Sequence, residues 1–423
     1  MKFLVLALAI TPAFAQNLTP AWVELGPTGA IARIVIDRFA GCPQIKLDGQ
    51  STRMHTRVDS PAANFPFLIC EAHIPAATKK ASVELGTKSL SLALPMANPR
   101  RIVVIGDTGC RLKNTPDTPG GRVTIQNCED PEQWPFPQVA HSAAAEKPDL
   151  VIHVGDYLYR EMKCPDPAKC GSISGYEWPS WNADFFAPAA ELLQAAPWIF
   201  VRGNHEDCGR AWQGFYFLLD PRDLNQLGPC STPYSAPYVV KLGAQQFAVL
   251  DSAAANDIIA PPQQVAEYTQ QFRSILAQGF HNGWVLTHRP IWGFSSQLNV
   301  TTPLNATLEA AWEKVGVKRS DVSLVVAGHI HLFELLSYET AAQLPPQLVI
   351  GNSGTQLAAP LPADLGGSKI ANKIVAKGES FTSFSYGLLT REQSGWRLQM
   401  RSQTGADKAD CTLELHAGTA ICE

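Results

Sequence analysis

Leu-Val-Ile-His-Val-Gly-Asp-Tyr-Leu-Tyr, residues 150–159, decides the reading of this chain. The apolar, largely β-branched run Leu150 to Val154 has the length and composition of a buried strand. It stops at Gly155-Asp156, where the backbone must leave the ladder. Four more runs end in the same manner and in a fixed order. Arg101 to Ile105 leads into Gly-Asp-Thr-Gly at 106–109, and Trp198 to Val201 into Gly-Asn-His-Glu at 203–206. Trp284 to Leu286 precedes His288, and Leu324 to Val326 precedes Gly-His-Ile-His at 328–331. In sheet-based α/β proteins the loops beyond strand ends converge on one cleft. The side chains gathered there are Asp107, Asp156, Tyr159, Asn204, His288, His329 and His331, a mixed oxygen and nitrogen set that suits one or two transition metals.

Residue chemistry supports that expectation. A carboxylate such as Asp156 can bridge two cations, and neutral imidazoles bind zinc, manganese or ferrous iron. Tyr159 is the unusual member, because a phenol with an ordinary pKa of about 10 ionises near neutral pH only beside a strong Lewis acid, ferric iron above all. His329 and His331 stand two apart, so at an extended strand end they point roughly the same way and can address adjacent metals.

Together the five motifs resemble the signature of the purple acid phosphatases, within the calcineurin-like metallophosphoesterases. Relatives outside that branch usually carry a histidine two residues after the first aspartate and no tyrosine in the second motif; here Gly109 and Tyr159 occupy those positions. The resemblance covers roughly residues 98 to 400. It implies that Asp107, Asp156, Tyr159 and His331 hold a ferric ion and that Asp156, Asn204, His288 and His329 hold a divalent iron, zinc or manganese. It further implies two stacked mixed β-sheets flanked by helices, and attack of a metal-bound hydroxide on phosphorus. His205 would reach the leaving group or a phosphate oxygen. The family often has another histidine in the loop after the lone one, and Arg289 to Pro303 contains none, so proton donation falls to His205.

Any one of these motifs alone is more often a structural turn. His153, inside its strand, reads as a packed core histidine, and His55, His73, His141, His281 and His416 lie outside the motifs. Arg289 is either a phosphate contact or an ion-pair partner. The insert Glu161 to Phe186, with Tyr176, Trp178, Trp181 and Phe185, is either a substrate lid, joined by Trp212 and Trp292, or core packing. Asn17, Asn299 and Asn305 begin glycosylation sequons.

Residues 1–15 read as a cleavable secretory signal, with Lys2, an apolar run from Phe3 to Ile10, and Ala13-Phe14-Ala15 before Gln16. Without Lys2 the chain has 33 basic and 38 acidic residues, a net charge near −5. That balance argues against a nucleic-acid surface, and no later apolar run reaches membrane-spanning length. Ten cysteines fit an oxidising compartment, secreted or periplasmic. Proximity pairs Cys42 with Cys70, Cys110 with Cys128, Cys164 with Cys170, Cys208 with Cys230, and Cys411 with Cys422.

Residues 16–97 alternate short strand-like runs, such as Ile31 to Ile36 and Ala81 to Leu85, with turns, and are expected to form a small N-terminal all-β sandwich domain. Residues 98–423 are expected to form the catalytic α/β domain, with helices near Gln138 to Glu146, Pro188 to Ala196, Gln264 to Gln278 and Leu304 to Val315. One further strand, Trp396 to Arg401, precedes a disulfide-closed tail. The expected function is hydrolysis of a small phosphomonoester. A phosphodiesterase with the same metal pair is one alternative, and a wall- or protein-binding module with a structural metal centre is another.

Overall fold

The computed structural model describes residues 21–58, 64–113, 125–297, 300–370 and 372–423. The expected signal segment and the sequon residues Asn17 and Asn299 lie outside them. Two large mixed sheets stack face to face. The first has eleven strands, with Arg101–Ile105, Leu150–His153 and Trp198–Phe200 parallel at its centre. The second has eight, built around parallel Gln245–Leu250, Gly283–Thr287, Val322–Ala327 and Gln347–Ile350.

Side-chain alternation explains the stacking, because successive residues of a strand point to opposite faces. Ile102 and Val104 enter the layer between the sheets, where they share one apolar cluster with Trp284, Leu286, Leu324 and Val326. Val103 and Ile105 face outward, under the helices Phe136–Ala145 and Ala190–Ala195. On the far side Val285 and Val325 pack beneath Pro262–Ala277 and Ala306–Val315. Both faces of each parallel core are thus covered, which is why these strands read as continuous apolar runs. The architecture is the expected α/β arrangement of stacked mixed sheets flanked by helices.

Among the described residues before 92, every regular element is a β-strand. Gln44–Leu47, Gln50–Arg53, Ala81–Leu85 and Lys88–Ser91 form a four-stranded antiparallel sheet. Trp22–Gly26, Gly29–Asp37, Phe67–Ile74 and His55–Val58 instead extend the eleven-stranded sheet, through the parallel pairing of Glu24 with Trp198. Two buried arginines fix this junction. Arg33 lies 2.7 Å from both Glu24 and Glu71, and it donates to the Leu218 carbonyl at 2.8 Å. Arg57 donates to the carbonyls of Tyr216 at 2.7 Å and Asp220 at 2.8 Å. The segment they grip is the last turn of the helix Trp212–Leu218 and the residues just beyond it, shortly after the Gly-Asn-His-Glu motif.

The tail contains more sheet than expected. Trp396–Ser402 is followed by Asp407–Glu414 and Thr419–Cys422, all antiparallel at the sheet edge. Only one face of Asp407–Glu414 is buried, and its other face carries Lys408, Asp410 and Thr412, which dilute the apolar signal. All ten cysteines pair, in the five combinations that proximity indicated. Among the described residues no helix is long and apolar enough to cross a membrane.

Candidate metal centre

The five strand ends meet in one place. Oη of Tyr159 lies 2.9 Å from Asp156 Oδ2, 3.0 Å from Asp107 Oδ1 and 3.1 Å from His331 Nε2. Nε2 of His288 lies 3.2 Å from Asp156 Oδ2 and 3.1 Å from Asn204 Oδ1. Asp156, His288 and His329 each offer a ligand atom, and the three atoms fall within 4.8 Å of one another. Asp156 is therefore common to two donor groups, one with Asp107, Tyr159 and His331, the other with Asn204, His288 and His329.

The donor chemistry tests whether cations fit. The phenol has one proton, yet it faces two carboxylate oxygens and an imidazole nitrogen. Burial, and then the neighbouring Asp156, push Asp107 well above the usual carboxylate range. Burial also pushes Asp156 up, but the opposing charges of His288 and His205 hold it well below. Burial pulls His288 down, and the Asp156 carboxylate more than offsets this, raising it to about 9. Burial and nearby arginines lower His331 to about 3 and His329 to about 4, so both are neutral and ligand-competent at pH 7. Crowded carboxylates that keep a proton on Asp107 and draw one onto His288 mark a cluster whose negative charge calls for cations, a charge that bound metals would balance instead.

Backbone geometry holds the donors in place. Asp107, Asp156 and His329 adopt positive φ angles of 55°, 59° and 69°, a strained conformation for residues with a Cβ and one that clusters at functional sites. A Cβ on Gly203 would stand 2.1 Å from Asp156 Oδ1, and one on Gly328 2.5 Å from Asp107 Oδ2, so each of these motif glycines makes room for a carboxylate. His288 and His331 turn Nδ1 to the carbonyls of Val154 at 2.8 Å and Gln356 at 2.7 Å, which leaves Nε2 for the centre.

Several residues that build the site escaped the sequence reading. Glu206, wholly buried, accepts the backbone N–H groups of Asp156 at 3.1 Å, Tyr157 at 3.0 Å, Leu158 at 3.3 Å and Gly203 at 3.2 Å. Asp184 accepts the N–H groups of Tyr159 at 2.8 Å and Arg160 at 3.0 Å. The insert 161–186 thus returns a clamp to the second motif, and Trp178, Trp181, Phe185 and Phe186 are buried in the layer beneath the helices. They belong to the core and not to a lid, as does Trp292. His205 donates its backbone N–H to Asp156 Oδ1 at 2.8 Å, and its Nδ1 lies 3.3 Å from Glu161, which also pairs with Arg210.

Arg289 forms an ion pair with Asp257, and both touch His329. Burial pushes the Asp257 carboxyl up, but His329 and Arg289 outweigh it and hold it below the usual range. Asn305 is buried and donates to Asp257 at 2.7 Å, so the folded chain offers no glycan site there. His153 is buried and bonded to Thr108 at 3.0 Å, in keeping with a core role. His141 and His55 pair with Glu191 and Glu71 away from the cleft.

The family profile of calcineurin-like phosphoesterases matches residues 100–333, more than half of the 423. A protein named "Probable inactive purple acid phosphatase 14" from Arabidopsis thaliana is 31% identical over 105 residues, 24% of this chain and 22% of that protein. The chain thus spans about a fifth of the length of the curated relative it matches. A purple acid phosphatase from yellow lupin (Lupinus luteus) seeds superposes with a TM-score of 0.55 at 15% identity, over 92% of this chain and 73% of that one. A structure of PhoD superposes with a TM-score of 0.58 at 10% identity, over 97% and 93% of the two chains. At these identities the likeness is one of fold.

Proposed function

Since the chain belongs to the calcineurin-like phosphoesterase family, we propose that it is an exported phosphatase that hydrolyses small phosphomonoesters with a ferric ion and a divalent iron, zinc or manganese. The observation that carries this reading is the sharing of Asp156 between two donor groups drawn from five strand ends. In it, Asp107, Tyr159 and His331 complete one metal site with Asp156, and Asn204, His288 and His329 complete the other. When bound, the pair supplies Lewis acidity that activates water and neutralises charge on the transferring phosphoryl group.

The remaining chemistry belongs to the protein. His205 is the proton donor to the leaving oxygen. Glu161, 3.3 Å from its Nδ1, and the Tyr159 ring, with centroids 3.9 Å apart, hold the imidazole in place, with Nε2 turned to the centre 3.8 Å from Asp156 Oδ2. Glu206 and Asp184 keep the second motif rigid, so Asp156 and Tyr159 do not relax into a hydrogen-bonded turn when charge shifts in the cleft. Residues 98–423 carry the reaction, and residues 16–97 act as an N-terminal β domain that braces it. Five disulfides fit export from the cytosol.

Comparing monoester and diester hydrolysis at matched metal loading tests the substrate class. The reading expects the monoester to be turned over faster. Preference for the diester would transfer the assignment to a phosphodiesterase. Loaded protein that cleaves neither would point to a binding role.

A further inference from the structure

Asp257 sits in the loop after the strand Gln245–Leu250, outside every motif. Its carboxylate is fixed from two directions. Oδ1 accepts from Asn305 at 2.7 Å, and Asn305 in turn caps the helix Ala306–Val315 by accepting from the Leu308 N–H at 2.9 Å. The Asp257 carbonyl also accepts the Ala306 N–H at 2.9 Å. Oδ2 meets His329 Nε2 at 3.1 Å and accepts from Arg289 Nη1.

Arg289 Nη1 also lies 2.8 Å from that same His329 nitrogen. A guanidinium is only a donor, and a neutral imidazole nitrogen carries either a proton or a lone pair. Nε2 therefore has two exclusive states. It donates to Asp257, which leaves a lone pair on Nδ1, or it accepts from Arg289, which places the proton on Nδ1. Only the first state gives His329 a ligand atom on the side away from Arg289. His288 and His331 solve the same problem with backbone carbonyls, which carry no competing donor. Among the described contacts, His329 is the one of these three with a cation within hydrogen-bond distance of its outward nitrogen, so it needs a carboxylate to settle the tautomer.

We infer that Asp257 is a positioning residue that fixes the proton of His329 on Nε2 and draws the Arg289 guanidinium away from that nitrogen. The inference rests on the metal reading above. Asp257→Ala should weaken one of the two metals by roughly 10- to 100-fold, the usual range for losing such a partner, and leave the other near wild type. Adding Arg289→Met removes the competing donor and should restore most of the lost affinity, an outcome that a merely structural Asp257 does not produce.

Elemental analysis after dialysis against chelators of graded strength reads this without any activity assay. Wild-type affinity for both metals in Asp257→Ala, or no recovery in the double variant, overturns the inference. If Asp257→Ala fails to fold, Asp257→Asn keeps the shape and an acceptor for Asn305 but loses the charge that holds Arg289. It should show the same selective weakening, because the amide nitrogen then faces Nε2 and donates to it, and unchanged affinity there is equally fatal. Wild-type protein that binds no metal refutes the metal reading and this inference together, whereas full affinity in the variants refutes this inference alone.

Discussion

Oη of Tyr159 lies 2.9 Å from Oδ2 of Asp156, and both side chains are buried. Burial and the charges of Asp107 and Asp156 push the phenol well above its usual pKa, so in the absence of a cation Tyr159 keeps its proton. A strong Lewis acid reverses that preference. Wild-type protein with ferric iron is therefore expected to show a visible charge-transfer band, and Tyr159→Phe to abolish it. A band that survives in the phenylalanine variant at equal iron content contradicts the role given to Tyr159.

His205 touches Asp156 through its backbone and Glu161 through its ring, and it is not among the proposed ligands. A general acid matters most for a poor leaving group. His205→Ala should slow alkyl phosphates by on the order of 100-fold or more, and nitrophenyl phosphate much less, with metal content unchanged. Equal losses on both substrates would assign His205 to phosphate positioning.

Glu334 is buried in the second sheet, with one hydrogen bond from the Phe294 N–H at 3.1 Å. Burial raises its carboxyl from 4.5 to about 8, the backbone bond opposing only in part. Between those values the folded chain holds a proton that the unfolded chain has lost, so Glu334 costs stability as pH rises through this window, by up to about 1.4 kcal/mol per pH unit. Glu334→Gln keeps an acceptor and removes the titration. Its stability relative to wild type, from chemical denaturation, should grow from pH 5 to pH 8; a constant difference would sink the assignment.

Arg33 is wholly buried between Glu24 and Glu71. Arg33→Met removes the ion-pair partner of buried Glu24, while Glu71 keeps Arg57 at 3.2 Å, and such losses of one partner cost about 3 to 5 kcal/mol. Urea unfolding that shifts by less than about 1 kcal/mol, the scale of an ordinary surface substitution, would show that the junction does not depend on this arginine.

The strand ends were legible because each motif breaks a simple apolar run, and that break has a local cause in glycine and carboxylate chemistry. The donors sit on these breaks, so finding the strands also finds Asp107, Asp156, Asn204, His288 and His329. Their supports are a different matter. Asp184 reaches Tyr159 from 25 residues away and Asp257 reaches His329 from 72 residues away, in stretches that read as ordinary loop or insert. Only the fold brings such carboxylates to their partners. The insert's aromatic residues carried the same ambiguity, since a lid and a core layer have the same composition, and Asp184 between them shows which way the segment turns. Of the last two strands, Asp407–Glu414 was hidden by its exposed charged face, and Thr419–Cys422 is only four residues long.

Asp156 is the one side chain common to both donor groups, so the account depends on it most. Replacing it with asparagine keeps the size and removes the charge between two cations. Elemental analysis of wild type and Asp156→Asn, purified identically, should find two metals per wild-type chain, one of them iron, and the loss of most of both in the variant. Two tightly held metals in Asp156→Asn would contradict the bridging role and the binuclear centre built on it.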